Sequence, residues 1–352
     1  MDLRQEKQAL SHSGRVLYLD VLRCAAIFAV VVIHVSCDYD SHAGVSAYAG
    51  ALFNSLSRWC VPVFVMISGA LFLQPDKTVS IRQLFFKYIL RLAAVYLVWV
   101  LLYSFALYPL YRAIWLFAKG QPVCYVSFTR PECYFHLWFL PMLMGVYITI
   151  PVCQAIIKHG VAGYFLLVWA FFNLVLFDGL YVPKFLHIPY VFAGLIRPEM
   201  MTGYCGYFLL GAYLSQREPT RREAIMAGSA AVIAMLITLA GKLVQGKVFH
   251  EYLSPNVMLM SAGVFVATQY FFSVRGTEHK VLERFTRAVR PDVFGIYLIH
   301  LFFIYLLNRG LLLPHNGWAW VAIPCVSLLV FMLSWLCAKV LRRIPYVGYF
   351  CG

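Results

Sequence analysis

The sequence predicts an all-α, polytopic integral membrane protein of about ten transmembrane helices with both termini in the cytoplasm. Three observations carry this. The chain of 352 residues is 62% hydrophobic and only 12% charged, whereas a soluble domain carries about twice that charge fraction. Its apolar residues gather into ten spans: 16–37, 56–73, 86–108, 136–157, 161–178, 202–215, 224–241, 254–273, 293–308 and 318–340. Most are long enough to cross as helices, which takes about 20 residues. The basic residues also divide unevenly between the two sides. With the N-terminus inside, inner segments hold 18 Lys and Arg and outer segments 9, with Arg23 and Arg91 counted as intramembrane. Lys and Arg collect on the cytoplasmic side, and the net charge of +14 follows from this bias and from anionic inner-leaflet lipid. It does not point to nucleic acid, for which no binding motif is present.

Taken in order, the N-terminal tail to Gly14 is polar and is expected to lack structure. Residues 1–15 then form a cytoplasmic tail, 16–343 one transmembrane domain and 344–352 a cytoplasmic C-terminal tail. The first span is too long for a cleavable leader and has no small-residue cleavage site, so it is expected to stay in place. In the second span Pro62 and the pair Ser68–Gly69 should kink or thin the helix so that others approach closely. The sixth span is the shortest. Two outer stretches, Pro109–Phe135 and Gly179–Met201, are long enough to serve binding, and the run Leu110–Phe117 should lie in the interface or re-enter. The ten cysteines show no metal spacing, so no structural metal is expected. Cys124 and Cys133 share an outer segment and could be bridged or free.

Chemistry concentrates in span 1. Arg23 and His34 are eleven residues apart within it. A helix turns about 100° per residue, so the pair shares a face, ~16 Å apart along the axis. Ionisable groups inside a bilayer usually face a polar cavity or a partner. Asp20, three residues before Arg23, shares that face and can orient its guanidinium. A guanidinium fork matches phosphate oxygens better than an ammonium does. A phosphorylated cofactor held at Arg23 could therefore send a long arm to His34, where a neutral imidazole in a drier medium can take a proton. Two satisfied residues gluing helices together is the plainer reading.

The pattern D-x-x-R-x(10)-H formed by Asp20, Arg23 and His34 resembles the acyltransferase-3 family of membrane acyltransferases. The stretch Arg58-Trp-Cys-Val-Pro62-Val-Phe64-Val-Met-Ile-Ser68-Gly69 is similar to the family's R-x-x-V-P-x-F-F-M-I-S-G, with Val65 replacing the second Phe. His136-Leu-Trp138-Phe139-Leu140, Gly206-Tyr-Phe-Leu-Leu-Gly211 and Gly295-Ile-Tyr297-Leu-Ile-His300 resemble later motifs, in order along nearly the whole chain. The similarity is greatest to the enterobacterial common antigen O-acetyltransferase branch. One departure is the basic pair opening span 3, often R-x-x-x-R in the family and Lys87 with Arg91 here.

The resemblance implies a bacterial inner-membrane O-acetyltransferase. It would move an acetyl group from cytoplasmic acetyl-CoA, the only cofactor implied, to a hydroxyl of a cell-envelope glycan or lipid-linked sugar. CoA phosphates would dock on Arg23, Lys87 and Arg91, His34 would be the general base with Asp20 and Arg23 beside it, and Arg58, His136, Trp138 and His300 would bind the acceptor. Glu132 is a further outer polar residue. Plainer readings exist for several: snorkelling for Lys87, interfacial anchoring for His136 and Trp138, a helix-to-helix hydrogen bond for His300. Two rival functions remain open. An exporter or flippase of a polysaccharide or lipid-linked saccharide would use intramembrane Arg and His equally well. A catalytically dead scaffold fits less well with an intact Arg23/His34 pair.

Overall fold

The structure, a computed structural model, describes residues 3–40, 44–118, 131–176, 203–245, 249–274, 280–307 and 318–351. Among them it is helical with no strand: α1 (Leu3–Asp40), α2 (Val45–Ser57), α3 (Cys60–Phe72), α4 (Leu90–Leu102), α5 (Tyr108–Ala118), α6 (Phe139–Ile148), α7 (Ile150–Lys158), α8 (Ala162–Leu176), α9 (Cys205–Ser215), α10 (Arg221–Gln245), α11 (Pro255–Gln269), α12 (Lys280–Val289), α13 (Val293–Leu306), α14 (Ala319–Leu341) and α15 (Val347–Cys351). Cys124 and the outer stretch Gly179–Met201 lie outside the described residues, as do the side chains of Glu132 and Cys133.

Among the described residues six helical runs are long and apolar enough to cross a membrane: Leu17–Tyr39, Val45–Phe72, Ile81–Phe117, Arg221–Val244, Lys280–Leu306 and Ala319–Leu341. Tyr134–Ile148 with Ile150–Lys158, bent by 49°, makes a seventh if the two halves are one span. Ala162–Leu174 and Cys205–Ser215 are shorter apolar helices, and α11 runs on through a wide π turn, Tyr270–Val274. The molecule is thus a multi-pass membrane protein.

Several boundaries differ from the sequence-based expectation, each for a local reason. The polar N-terminal tail is helical from Leu3, because its Leu, Gln, Glu, Lys and Ala residues are good helix formers and no proline interrupts them. The second span begins at Val45 instead of residue 56. Gly44, at φ +75°, opens it, and Ser46, Ala49 and Gly50 bury small side chains there. Its break falls at Arg58–Trp59, while Pro62 sits in the first turn of α3, where a missing N–H costs nothing. Arg58 therefore lies midway along the run Val45–Phe72, not at its outer end. The run Leu110–Phe117 is not a separate element. It continues the third span as α5, after a π turn at Tyr103–Leu107. Pro151 in the first turn of α7 places the 49° bend, and Gly160 at φ +70° turns the chain into α8.

The chain divides into two compact units, each assembled from three separated segments. The first comprises residues 1–26, 58–81 and 148–287. Its tightest contact is between α3 and α9. A Cβ at Gly69 would overlap the Phe208 carbonyl, and one at Gly211 would overlap the Met66 carbonyl. Small residues let backbones meet where lipid removes the usual apolar driving force. Gly263 lets α11 approach Ala227 of α10 in the same way. At the head of α10 the Thr220 N–H donates to Glu223 Oε2 (2.8 Å), the Glu223 N–H donates to Thr220 Oγ1 (3.3 Å), and Arg217 grips the same carboxylate at 2.7 and 3.0 Å. This capping box satisfies amides the helix cannot satisfy itself.

The second unit comprises residues 27–57, 82–147 and 288–352. Its core joins Val31 and Val35 of α1, Trp99 of α4, Leu140 of α6, Leu298 and Ile304 of α13, Ile323 and Val330 of α14, and Cys351. Asp292, buried at the foot of α13, accepts hydrogen bonds from Trp335 Nε1 (3.1 Å) and Arg342 Nε (2.6 Å) of the C-terminal helices' side. The C-terminal segment packs onto this unit: Trp99 Nε1 donates to the Phe350 carbonyl (3.0 Å), and Cys351 is buried.

Candidate active site

Three histidines from three separated segments meet inside the second unit. His34 comes from α1, His136 from the 3₁₀ turn Pro131–Trp138, and His300 from α13. The His300 ring is central, with its centroid 5.2 Å from those of both His34 and His136. Phe135 meets His34 edge to face at 5.3 Å. Tyr103 and Tyr297 pack on His136 at 5.2 and 5.7 Å.

Backbone carbonyls of one helical turn fix two of the three rings. His300 Nδ1 lies 2.7 Å from the Tyr297 carbonyl and 3.2 Å from that of Ile296. A carbonyl only accepts, so Nδ1 carries the proton and Nε2 keeps a lone pair. His136 Nε2 donates to the Leu298 carbonyl at 3.3 Å, which leaves the lone pair on its Nδ1. The same carbonyl accepts from the Tyr103 hydroxyl (2.8 Å), and the Tyr297 hydroxyl donates to the His136 carbonyl (2.7 Å). Neither His300 Nε2 nor His136 Nδ1, both buried, has a hydrogen-bond partner. Exposure separates the three: His300 and His136 are 0% and 1% exposed, while His34 is only half-buried.

The other expected residues fall as follows. In the first unit Arg23 Nη1 and Asp20 Oδ1 are 3.4 Å apart, with Asp20 buried and Arg23 half-buried. Arg58, also of the first unit, stacks over the Tyr252 ring at 5.3 Å. In the second unit Lys87 falls within a π turn, Leu84–Ile89, and Arg91 follows it. The two cations meet different partners. Lys87 Nζ is over the Tyr88 ring at 5.6 Å, and the Arg91 guanidinium is over Tyr349 at 5.0 Å with a 3.5 Å contact to the Tyr349 carbonyl. Trp138 is exposed against Phe139. Tyr103 was not foreseen, because a lone tyrosine in an apolar run carries no signal. Tyr297 lay in the motif ending at His300 but had no assigned part. Among the described residues no group of His, Cys, Asp and Glu is placed to hold a metal ion.

A half-buried imidazole on a membrane helix, backed by two covered imidazoles with their lone pairs inward, can accept and return a proton away from bulk water. An apolar helical scaffold carrying such a group is suited to proton transfer within a membrane. Residues 16–339 match the family described as an acyltransferase domain. The chain belongs to this acyltransferase-3 family and is a membrane acyltransferase. No curated protein and no solved structure matches it.

Proposed function

We propose that the protein is an O-acetyltransferase of the bacterial inner membrane. It moves an acetyl or other short acyl group from cytoplasmic acyl-CoA to a hydroxyl of a cell-envelope glycan or lipid-linked sugar, as in the enterobacterial common antigen branch it resembles. In this reading there are ten spans with both termini cytoplasmic. Arg23, oriented by Asp20, receives CoA phosphate. His34 takes the acceptor's hydroxyl proton as that oxygen attacks the thioester carbonyl. The carbon–sulfur bond breaks, and His34 returns the proton to the departing thiolate. Of the residues expected to meet the acceptor, Trp138 and Arg58 keep surface for it, whereas His136 and His300 are covered.

The observation that carries this reading is the open imidazole of His34 backed by two tautomer-fixed rings in a chain of this family. The test pairs purified protein, acetyl-CoA and envelope glycan. His34→Ala should cut acyl transfer at least ~100-fold, the range for a general base, at unchanged membrane abundance. Near-wild-type transfer by well-inserted variant overturns the assignment. A wild-type protein that neither transfers nor hydrolyses acyl-CoA, yet moves glycan across vesicles, establishes export instead.

A further inference from the structure

His300 presents an unexplained group. A buried acceptor without a partner is costly, yet its Nε2 is completely covered and unpaired while Nδ1 is committed to the Tyr297 carbonyl. A nitrogen that is fully covered does not reach a glycan, so acceptor binding does not account for it. The titratable rings around it are His34 on one side, His136 on the other, and Tyr297 one turn back on its own helix; Tyr103 stands behind His136. His136 faces it as a second neutral ring whose only proton goes to Leu298. Of the three imidazoles, only His34 keeps surface for a substrate.

We propose that His300 is the positioning residue for His34: its Nε2 accepts the N–H of one His34 ring nitrogen, so the other presents its lone pair to the acyl acceptor. The two rings already stand 5.2 Å apart between centroids. Phe135 bounds the ring on another side. His300 gains and loses no proton in the cycle. The proton taken from the hydroxyl rides on the far nitrogen of His34 and returns to the thiolate. This rests on the reading of His34 as the base.

The test uses full-length wild type, His300→Phe and His300→Gln in lipid nanodiscs, with acetyl-CoA as donor and native glycan as acceptor. His300→Phe should lower kcat about 100-fold, the scale of a misplaced catalytic group, with acceptor KM unchanged. Gln, whose Oε1 accepts a hydrogen bond, should restore at least about tenfold of that. Nitrogen-15 NMR of the His34 ring gives a readout independent of turnover: one tautomer in wild type and in Gln, a mixture in Phe. A raised acceptor KM with kcat intact assigns His300 to the acceptor and overturns the proposal. So does a mixed His34 tautomer in wild type, which needs no variant to fold. A tautomer shift in a protein that transfers nothing keeps the positioning contact and overturns the base reading instead.

Discussion

Arg23 and Lys87 show what single positions can and cannot say. Both are cations at the edge of apolar sequence, but only a guanidinium offers a planar fork to phosphate, and Asp20 stands beside it at 3.4 Å. Arg23→Lys should weaken CoA binding about tenfold, one charge-assisted hydrogen bond's worth, and Arg23→Ala should weaken it further. Calorimetry with CoA reads this directly. An unchanged Kd in both variants assigns Arg23 to helix packing. That Arg23 and His34 belong to one helix was legible, because the apolar run between them is unbroken. Lys87 falls in the π turn at Leu84–Ile89, and no hydropathy pattern reveals a π turn. The histidine cluster was half legible. Each histidine stood out as polar within an apolar run, but their convergence comes from tertiary packing.

At the scale of elements, α3 and α9 depend on absent side chains. A methyl at residue 211 would meet the rigid Met66 carbonyl, not a yielding side chain. Gly211→Ala should therefore cost about 1–3 kcal/mol by overpacking, outweighing the better helix propensity of alanine. It should lower the melting temperature of the detergent-solubilised protein; an unchanged Tm would deny the close approach. The head of α10 is pH-sensitive. The carboxyl of Glu223 is held down to about 2, first by the hydrogen bonds from Arg217 and then by those from Thr220. The unfolded chain binds that proton near the ordinary glutamate value, so the cap contributes fully above pH ~4.5. It fades as pH falls towards 2. Amide exchange in the first turn of α10 should quicken across that window, and Glu223→Gln should abolish the dependence. Helix positions were legible from apolar content, whereas the 49° bend at Pro151, inside the expected span 136–157, was not foreseen. Nor was the early start of the second span, because small polar residues such as Ser46 are buried by packing that hydropathy does not register.

For the whole molecule, the 18-to-9 division of basic residues predicts that both termini face the cytoplasm. A reporter active only in the periplasm, fused after Gly352, should stay silent; a strong signal would reverse the side from which CoA is proposed to enter. The all-helical class and the membrane setting were legible from composition alone. The partition into two units was not, because each unit gathers segments that are remote in the chain.

The second unit's interleaving has a consequence for biosynthesis. Its core needs residues 27–57, 82–147 and 288–352 together, down to the Trp99 bond to Phe350 and the burial of Cys351. A ribosome moving at about 5–20 residues per second spends roughly 15 to 60 s between Ser57 and Cys351. For that interval the helix bearing His34 waits in the membrane without its partners. His34 and His136 are present early, and His300 arrives only with α13. The growing chain thus holds an incomplete histidine cluster until residues 288–351 have packed.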